Sequence, residues 1–130
     1  MATELEMIFA RLRGILRQHG AGLGDRSASG RFTLESAPGP ATLQASGGKV
    51  RRPTIPVAWV EARKSYVSFH LMGLYGNRKL ESEVSRELRA RMQGKTCFNF
   101  KRIDEDLFTE LDRVTGQAIA AFRQAGFIGP

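Results

Sequence analysis

The chain has a single cysteine, Cys97, among its 130 residues. One cysteine excludes an internal disulfide and any cysteine-rich zinc site, because both need at least two thiols. No stretch approaches the ~20 apolar residues that a transmembrane helix requires. The N-terminus has glutamates where a signal peptide has a basic region. We therefore expect a cytoplasmic protein without a membrane segment, folded as one domain over residues 1–130.

Acidic residues are in the minority, 13 against 20 lysines and arginines, so the formal net charge is +7 and the pI is near 10.3. Clustered cations bind polyanions because they release the counterions of the phosphates. The cations of this chain are scattered, and no block reaches five like charges. We expect a solvated basic surface. Binding of nucleic acid or another polyanion through the arginine-bearing helices is kept as an alternative.

Helix signals occur near both ends of the chain. Thr3 and Glu6 form a T-x-x-E capping box before an apolar stripe, and Gly20 is placed to end this helix. Asp104 begins an acidic run that is placed to cap a final helix, which Gly126 closes. Carboxylates at a helix start complement the helix dipole. We therefore interpret the acidic run as a helix start and not as a cation site.

Alternation of apolar and polar residues predicts strands through the middle of the chain. Residues 20–30, rich in glycine and serine, are interpreted as a flexible loop. Gly47-Gly48 suits a hairpin turn, and Pro53 and Pro56 make the following arm an edge or irregular segment. The predicted strands are RFTLESA (31–37), ATLQAS (41–46), KVRRPTI (49–55), VAWVEA (57–62), SYVSFHLM (65–72) and TCFNF (96–100).

Two short helices are predicted between the last two strands, one near 78–83 and one from Ser85 to Gly94. Strands joined by short turns favour antiparallel pairing, and the helices must bury their apolar stripes against the sheet. The predicted fold is α+β: a mainly antiparallel sheet of about five strands, with the N- and C-terminal helices packed on one face.

The other face of that sheet is where the sequence gathers polar groups of several kinds. Polar side chains alternate with apolar ones along 65–72 and again along 96–100. If these two strands pair, the polar sets lie side by side, and nearby lysines would favour a small anionic ligand. The candidate ligand-binding residues are Tyr66, Ser68, His70, Lys95, Cys97, Asn99 and Lys101.

Cys97 and His70 are the candidates for catalysis on this face. An imidazole beside a thiol can accept its proton and produce a thiolate nucleophile, and Lys101 on the same face would lower the thiol pKa further. No oxyanion donor can be named, so we assign no catalytic residue. His19 and His70 lie on different elements without a shared H-x-x-x-H motif. We expect neither a metal site nor a cofactor.

Two stretches, KSYVSFHLM (64–72) and RMQGKTCFNFK (91–101), resemble the YdhG-like family of small bacterial domains of unknown function. In that family similar stretches lie at a similar separation, between N- and C-terminal helices. Gly73 and Arg86 stand where relatives commonly carry proline. The resemblance implies a frataxin-like fold, no established enzymatic activity and, by analogy with frataxin, iron handling. Iron handling needs an exposed acidic ridge, which does not suit a chain of charge +7.

We expect a small binding or accessory domain, non-enzymatic, acting as a monomer or homodimer. Its partner would be a small anionic ligand or a protein bound on the open sheet face. Three alternatives are nucleic-acid or polyanion binding, frataxin-like iron handling, and a Cys/His thiol enzyme or redox sensor.

Overall fold

The computed structural model describes residues 2–48 and 53–129. Helices and strands follow one another in the order α1, β1, β2, α2, β3, β4, α3, α4, β5, α5, with a 3₁₀ turn after β4. The helices are α1 (Glu4–Gln18), α2 (Pro40–Ala45), α3 (Arg78–Glu83), α4 (Arg86–Arg89) and α5 (Glu105–Gln124). The strands are β1 (Gly24–Ala28), β2 (Arg31–Ser36), β3 (Ile55–Ala62), β4 (Val67–Leu71) and β5 (Cys97–Phe100), and the 3₁₀ turn is Met72–Leu74.

Side-chain caps confirm the predicted helix starts. The Thr3 hydroxyl accepts a hydrogen bond from the Glu6 N–H at 3.1 Å, and the Asp104 carboxylate accepts one from the Leu107 N–H at 3.2 Å. Ser85 caps α4 in the same way. Each cap satisfies a backbone donor that a helix leaves without an internal partner.

The five strands form one antiparallel sheet in the order β1–β2–β3–β4–β5. The strands predicted over 57–62 and 65–72 are confirmed as the antiparallel neighbours β3 and β4, and β4 pairs with β5. Side chains on one face of the sheet are apolar and buried, because alternate residues of a strand point the same way. They are Phe32, Leu34, Val60, Val67, Phe69, Leu71, Phe98 and Phe100.

Helices α1 and α5 pack on this apolar face. α1 lies against β3 and β4, and α5 contacts α1, α3, α4 and the 3₁₀ turn. Ile8 and Leu12 of α1 and Phe108 and Leu111 of α5 join the sheet side chains in one core. Phe108 packs edge to face on Phe100, with ring centroids 5.2 Å apart. The fold is therefore α+β with the terminal helices on one side of the sheet, as predicted.

The prediction of a flexible loop over residues 20–30 is wrong. Gly24–Ala28 forms β1, which pairs with β2 along its whole length. All five residues of β1 are exposed, so the strand has no apolar alternation for the sequence to show. Gly30, at φ +70°, allows the tight turn that returns the chain into β2.

The strand predicted over residues 41–46 is also wrong, because these residues belong to the short helix α2 and its end. Pro40 stands in the first turn of α2, where a missing N–H costs no hydrogen bond. The Thr42 hydroxyl donates to the Phe127 carbonyl at 2.6 Å, which ties α2 to the C-terminal segment. Gly47-Gly48 therefore follows a helix and does not join two strands.

The second arm predicted for that hairpin falls partly on residues 49–52, which lie outside the described residues. Its last residue, Ile55, begins β3, which lies between β2 and β4 and is not an edge strand. Pro56 is accommodated because the pairing of β3 with β2 is irregular between Leu34 and Glu35, opposite this proline.

α4 ends at Arg89, short of the predicted end, and the chain then turns to run beside β5. The Asn99 N–H donates to the Arg91 carbonyl at 2.8 Å, and the Gln93 N–H donates to the Cys97 carbonyl at 2.9 Å. These bonds satisfy backbone groups that the outer edge of β5 would otherwise leave open.

Candidate functional site

The face of the sheet opposite α1 and α5, which we call the outer sheet face, holds the candidate site. Residues 24–36 extend this sheet as β1 and β2, so they enlarge the face. The strand register arranges its side chains in rows across β2 to β5. One row is Thr33, Trp59, His70 and Cys97, and the next is Arg31, Glu61, Ser68 and Asn99.

The structure brings four of the seven predicted site residues together in these rows: Ser68, His70, Cys97 and Asn99. Tyr66 precedes β4 and Lys101 follows β5, so neither belongs to a paired row. Lys95 lies elsewhere, with its Nζ 5.8 Å from the centre of the Tyr75 ring, in a hollow beside α3 and α4. The predicted set is therefore divided into a cluster of four residues in paired rows, two residues at the strand ends, and Lys95, which lies apart from them.

His70 is the centre of a small polar cluster. Its Nε2 lies 3.2 Å from the Ser68 Oγ and 3.7 Å from the Cys97 Sγ. The Cys97 Sγ lies 3.6 Å from the Asn99 Oδ1. The Asn99 Nδ2 donates to the Gln93 Oε1 at 2.9 Å. Ser68 is only 3% exposed although it points outward. Neighbouring side chains therefore cover the inner part of the cluster.

Burial sets the protonation states of this cluster. Burial lowers the pKa of His70 below its ordinary 6.5, although Glu61 acts in the opposite direction. Burial also raises the pKa of the Cys97 thiol above its ordinary 9.0 by more than the nearby Arg63 lowers it. The expected lowering of the thiol pKa by Lys101 is therefore wrong. Both groups are neutral near pH 7, and Cys97 lacks the thiolate that nucleophilic attack needs.

We expect Cys97 to react with iodoacetamide more slowly than glutathione does at about pH 7, because only the thiolate is alkylated. Since its pKa is raised, the rate should continue to increase above pH 9.0, the ordinary value. Mass spectrometry of a time course at several pH values measures this. His70→Ala should not slow the reaction. A thiol that reacts faster than glutathione and slows in His70→Ala would support the thiol-enzyme alternative instead.

Trp59 occupies the middle of the outer sheet face. Its ring stacks on His70 with centroids 4.5 Å apart and planes 10° from parallel. The Arg31 guanidinium carbon lies 5.5 Å from the Trp59 ring centre. Because β3 lies between β2 and β4, Arg31 approaches Trp59 from one neighbouring strand and His70 from the other. Arg31 and His70 thus both contact the indole, Arg31 by a cation–π contact and His70 by aromatic stacking.

Beside this stack the outer sheet face contains a hollow of about 510 Å³. Arg26 and Arg31 supply its positive charge, and Glu35 supplies a negative one. Glu35 forms an ion pair with Arg26 at 3.2 Å. The remaining lining residues are Ala28, Thr33, Pro53, Thr54 and Pro56. The hollow is the size of a small-molecule site.

Sequence reasoning did not include Arg31 and Trp59 in the site. A signal existed for Trp59, since it alternates with Ala58 and Val60, whose apolar side chains are buried. No signal existed for Arg31, because its place beside Trp59 depends on the register of β2 against β3. A register between two strands is not visible in either strand alone.

The acidic run at the start of α5 takes part in folding. Asp104 caps the helix, and Glu105 forms a hydrogen-bonded ion pair with Arg11 of α1. The Arg11 hydrogen bond lowers the pKa of Glu105. His19, at the end of α1, has its Nε2 2.5 Å from the carboxylate of Asp112 in α5. Within the described residues, no three His, Cys, Asp or Glu side chains are arranged to hold a metal ion.

Comparisons of the chain with protein-family models, curated proteins and solved structures give no match. The likeness to the YdhG-like family therefore stays a prediction from the two sequence stretches that carry it. No helix in residues 2–48 and 53–129 has both the length and the apolar character to cross a bilayer.

Proposed function

We propose that this protein is a non-enzymatic binding domain that holds a small anionic ligand in the hollow of the outer sheet face, against Arg31, whose guanidinium lies over the Trp59 ring. The observation that carries the proposal is the position of Arg31, which lines the hollow and lies over the Trp59 ring. A guanidinium presents several N–H donors in one plane and suits carboxylate or phosphate groups. The cation–π contact with the Trp59 indole helps to hold this guanidinium in place.

The charges around the hollow support an anion. Arg26 is neutralised by Glu35, and Arg63 is paired with Glu61 at 3.3 Å. In the part of the chain that the structure describes, no carboxylate oxygen lies within 4.0 Å of Arg31. Within the described residues, the side-chain hydrogen bond of Arg31 is from its Nε to the Thr33 Oγ1 at 3.4 Å. The other guanidinium nitrogens of Arg31 have no hydrogen-bond partner among residues 2–48 and 53–129, which favours their use in binding a ligand.

The protonation states of the neighbouring cluster support binding and not catalysis. A neutral thiol beside a neutral imidazole offers hydrogen-bonding groups but no activated nucleophile. The cluster also fixes one side of Trp59, because His70 stacks on it and contacts Ser68. We therefore assign His70 and Ser68 to positioning the indole on which Arg31 lies.

Trp59 is the only tryptophan, so its fluorescence reports directly on the proposed site. We expect inorganic phosphate, citrate or a nucleoside monophosphate to give a saturable change in this fluorescence at constant ionic strength. Arg31→Gln should weaken that binding about tenfold or more, since a hydrogen bond to a charged group contributes roughly 1.5–3 kcal/mol. Arg31→Lys should restore part of the affinity.

The matched control is Arg113→Gln on α5, which removes one positive charge from a different part of the surface. It should bind the probes as the unaltered protein does. Equal weakening by both variants would mean that net charge alone attracts the anions, and the proposed site would be wrong. A failure of all three probes to change the fluorescence or the melting temperature would also overturn it. A homodimer that covers Trp59, detected by sedimentation equilibrium, would replace the ligand with a second copy.

A further inference from the structure

Most of the excess positive charge lies in one segment. Residues 78–102 contain eight arginines and lysines and three glutamates, so this segment accounts for five of the seven net positive charges. In the described part of the chain, none of these eight cations has a carboxylate oxygen within 4.0 Å. Their charge therefore faces solvent without neutralisation by a neighbouring carboxylate.

The arginines of α1 are engaged in a different way. Arg11 pairs with Glu105 of α5, and Arg17 lies 5.2 Å from the centre of the buried Phe32 ring. Arg13 lies over Phe9 of the same helix at 5.5 Å. These contacts belong to the packing of α1, so the face best suited to a polyanion is not the arginine-bearing face of this helix.

Six of the eight cations in residues 78–102 line a connected series of four hollows. The first, of about 300 Å³, shares Arg78 with the second, of about 570 Å³. The second shares Met92 with the third, of about 270 Å³, and the third shares Arg91 and Lys101 with the fourth, of about 220 Å³. We call the cations along this path the basic track: Arg78, Arg89, Lys95, Arg91, Lys101 and Arg102.

Two features order this track before any partner binds. Arg89 donates from its guanidinium to the carbonyls of Glu81 and Val84 at 2.8 and 3.2 Å, which fixes it at the end of α3. The backbone of Arg91 is held by the Asn99 N–H beside β5. A track whose charges are already positioned loses less conformational entropy on binding.

Aromatic side chains lie at one end of the track. Tyr75 is 65% exposed, and the Lys95 Nζ is 5.8 Å from the centre of its ring. Phe127 is 39% exposed and stacks on Phe122 at 5.2 Å, and both line the first hollow together with Tyr75. An exposed aromatic ring beside a row of cations is the combination that stacks an unpaired base and contacts its phosphates.

We propose that the basic track binds single-stranded nucleic acid, with successive phosphates along its cations and a base on the Tyr75 ring. A duplex keeps the faces of its bases stacked inside, where Tyr75 could not reach them. An anionic membrane surface would need an apolar face continuous with the charges, whereas the exposed aromatic residues occupy only one end of the track. This surface is separate from the outer-sheet hollow, and the proposal does not depend on that site.

The test is fluorescence anisotropy of labelled oligo(dT) and oligo(U) of about 15 nucleotides, a length that spans the site sizes of single-strand binders. Affinity should fall linearly with salt on a double-logarithmic plot, with a slope of roughly −0.7 for each phosphate contacted. With about five contacts the affinity should fall by roughly 100-fold between 50 and 200 mM NaCl. A duplex of the same length should bind more weakly.

Variants separate this track from a general effect of charge. Arg91→Gln combined with Lys101→Gln should weaken binding and make the salt slope shallower by roughly 1.4. Tyr75→Ala should weaken binding about tenfold without changing that slope, because stacking releases no counterions. The control is Arg13→Gln combined with Arg113→Gln, which removes the same charge from other surfaces.

Four outcomes would overturn the proposal. They are no binding of either oligonucleotide at 50 mM salt, equal weakening by the control pair, tighter binding of the duplex, and unchanged affinity in Tyr75→Ala. Binding to vesicles of phosphatidylserine and phosphatidylcholine, without binding to the oligonucleotides, would assign the track to a membrane surface. Circular dichroism of each variant tests whether it is still folded, so that a loss of affinity can be distinguished from unfolding.

Discussion

Replacing Gly73 with alanine should lower the free energy of unfolding by about 3 kcal/mol, at the upper end of the cost of overpacking a core. Gly73 is buried in the 3₁₀ turn after β4, against the middle of α5. A Cβ at this position would overlap the carbonyl oxygen of Ala118 and lie 2.8 Å from its carbonyl carbon. Both atoms belong to the backbone of a 20-residue helix, so no side-chain rotation can relieve the overlap.

Gly14→Ala is the matched control, since it makes the same chemical change in a place with room for it. Gly14 lies in the exposed interior of α1, and a Cβ there would have no atom within 4 Å. Alanine is a better helix former than glycine by about 1 kcal/mol, so this variant should be more stable than the original protein. Urea unfolding followed by circular dichroism gives both free energies.

Relative to the original protein, Gly73→Ala should be less stable and Gly14→Ala more stable. The melting temperature of Gly73→Ala should fall by roughly 10 °C. An unchanged stability in Gly73→Ala would show that the 3₁₀ turn and α5 can separate without cost. The comparison also bears on the YdhG-like resemblance, in which relatives commonly carry proline here. A proline would bring the same Cβ to Ala118, so Gly73→Pro should be at least as destabilising as Gly73→Ala.

The elements that the sequence predicted well are those with a local cause. Thr3 and Asp104 satisfy backbone donors within their own first helical turns, so the helix starts can be recognised without the rest of the fold. Phe98 and Phe100 alternate with Cys97 and Asn99 because a strand has a period of two, and the inward and outward sets are as predicted.

The elements that were missed depend on distant partners. β1 consists of five exposed residues and exists through its hydrogen bonds to β2. α2 is a short helix whose Thr42 and Ala41 bond to the carbonyls of Phe127 and Gly126, residues from the far end of the chain. Isolated helices of this length are unstable in water, so tertiary contact decides the conformation.

In the candidate site too, the features with a local cause were predicted, and those that depend on distant residues were missed. The alternation in β4 and β5 placed Ser68, His70, Cys97 and Asn99 on one face, and their pairing in the structure confirms that placement. The protonation states could not be predicted from residue types, because burial controls them: it lowers the pKa of His70 and raises that of Cys97. The stack of Arg31 on Trp59 needed the register between β2 and β3.

The second large effect concerns the junction of α4 with α5, where Glu110→Ala should lower the free energy of unfolding by about 2–3 kcal/mol. The Glu110 carboxylate accepts hydrogen bonds from the Ser85 backbone N–H at 2.8 Å and from its hydroxyl at 2.6 Å. Both bonds are to a charged acceptor that is only 15% exposed, and such bonds are stronger than neutral ones. Without the carboxylate, the Ser85 N–H is left partly buried and without this acceptor.

A double-mutant cycle of Glu110→Ala with Ser85→Ala separates the bond between the Ser85 hydroxyl and Glu110 from the helix cap that the same hydroxyl provides. Ser85→Ala should lose about 1 kcal/mol for the cap to the Leu88 N–H, together with its hydroxyl bond to Glu110. Because the two residues share a bond, the double variant should be more stable than the sum of the single losses predicts. Additive losses would contradict the bond from the Ser85 hydroxyl; the bond from the Ser85 backbone N–H is retained in Ser85→Ala and is not measured by this cycle.

Glu110→Gln distinguishes the role of the charge from that of the shape. A glutamine keeps one acceptor oxygen but presents an NH₂ group where the second donor points, so it can satisfy only one of the two Ser85 groups. We expect it to lose about half as much stability as Glu110→Ala. If the glutamine and alanine variants unfold at the same urea concentration, the stabilisation requires the full carboxylate. The two Ser85 bonds would then act as a single unit that joins α4 to α5.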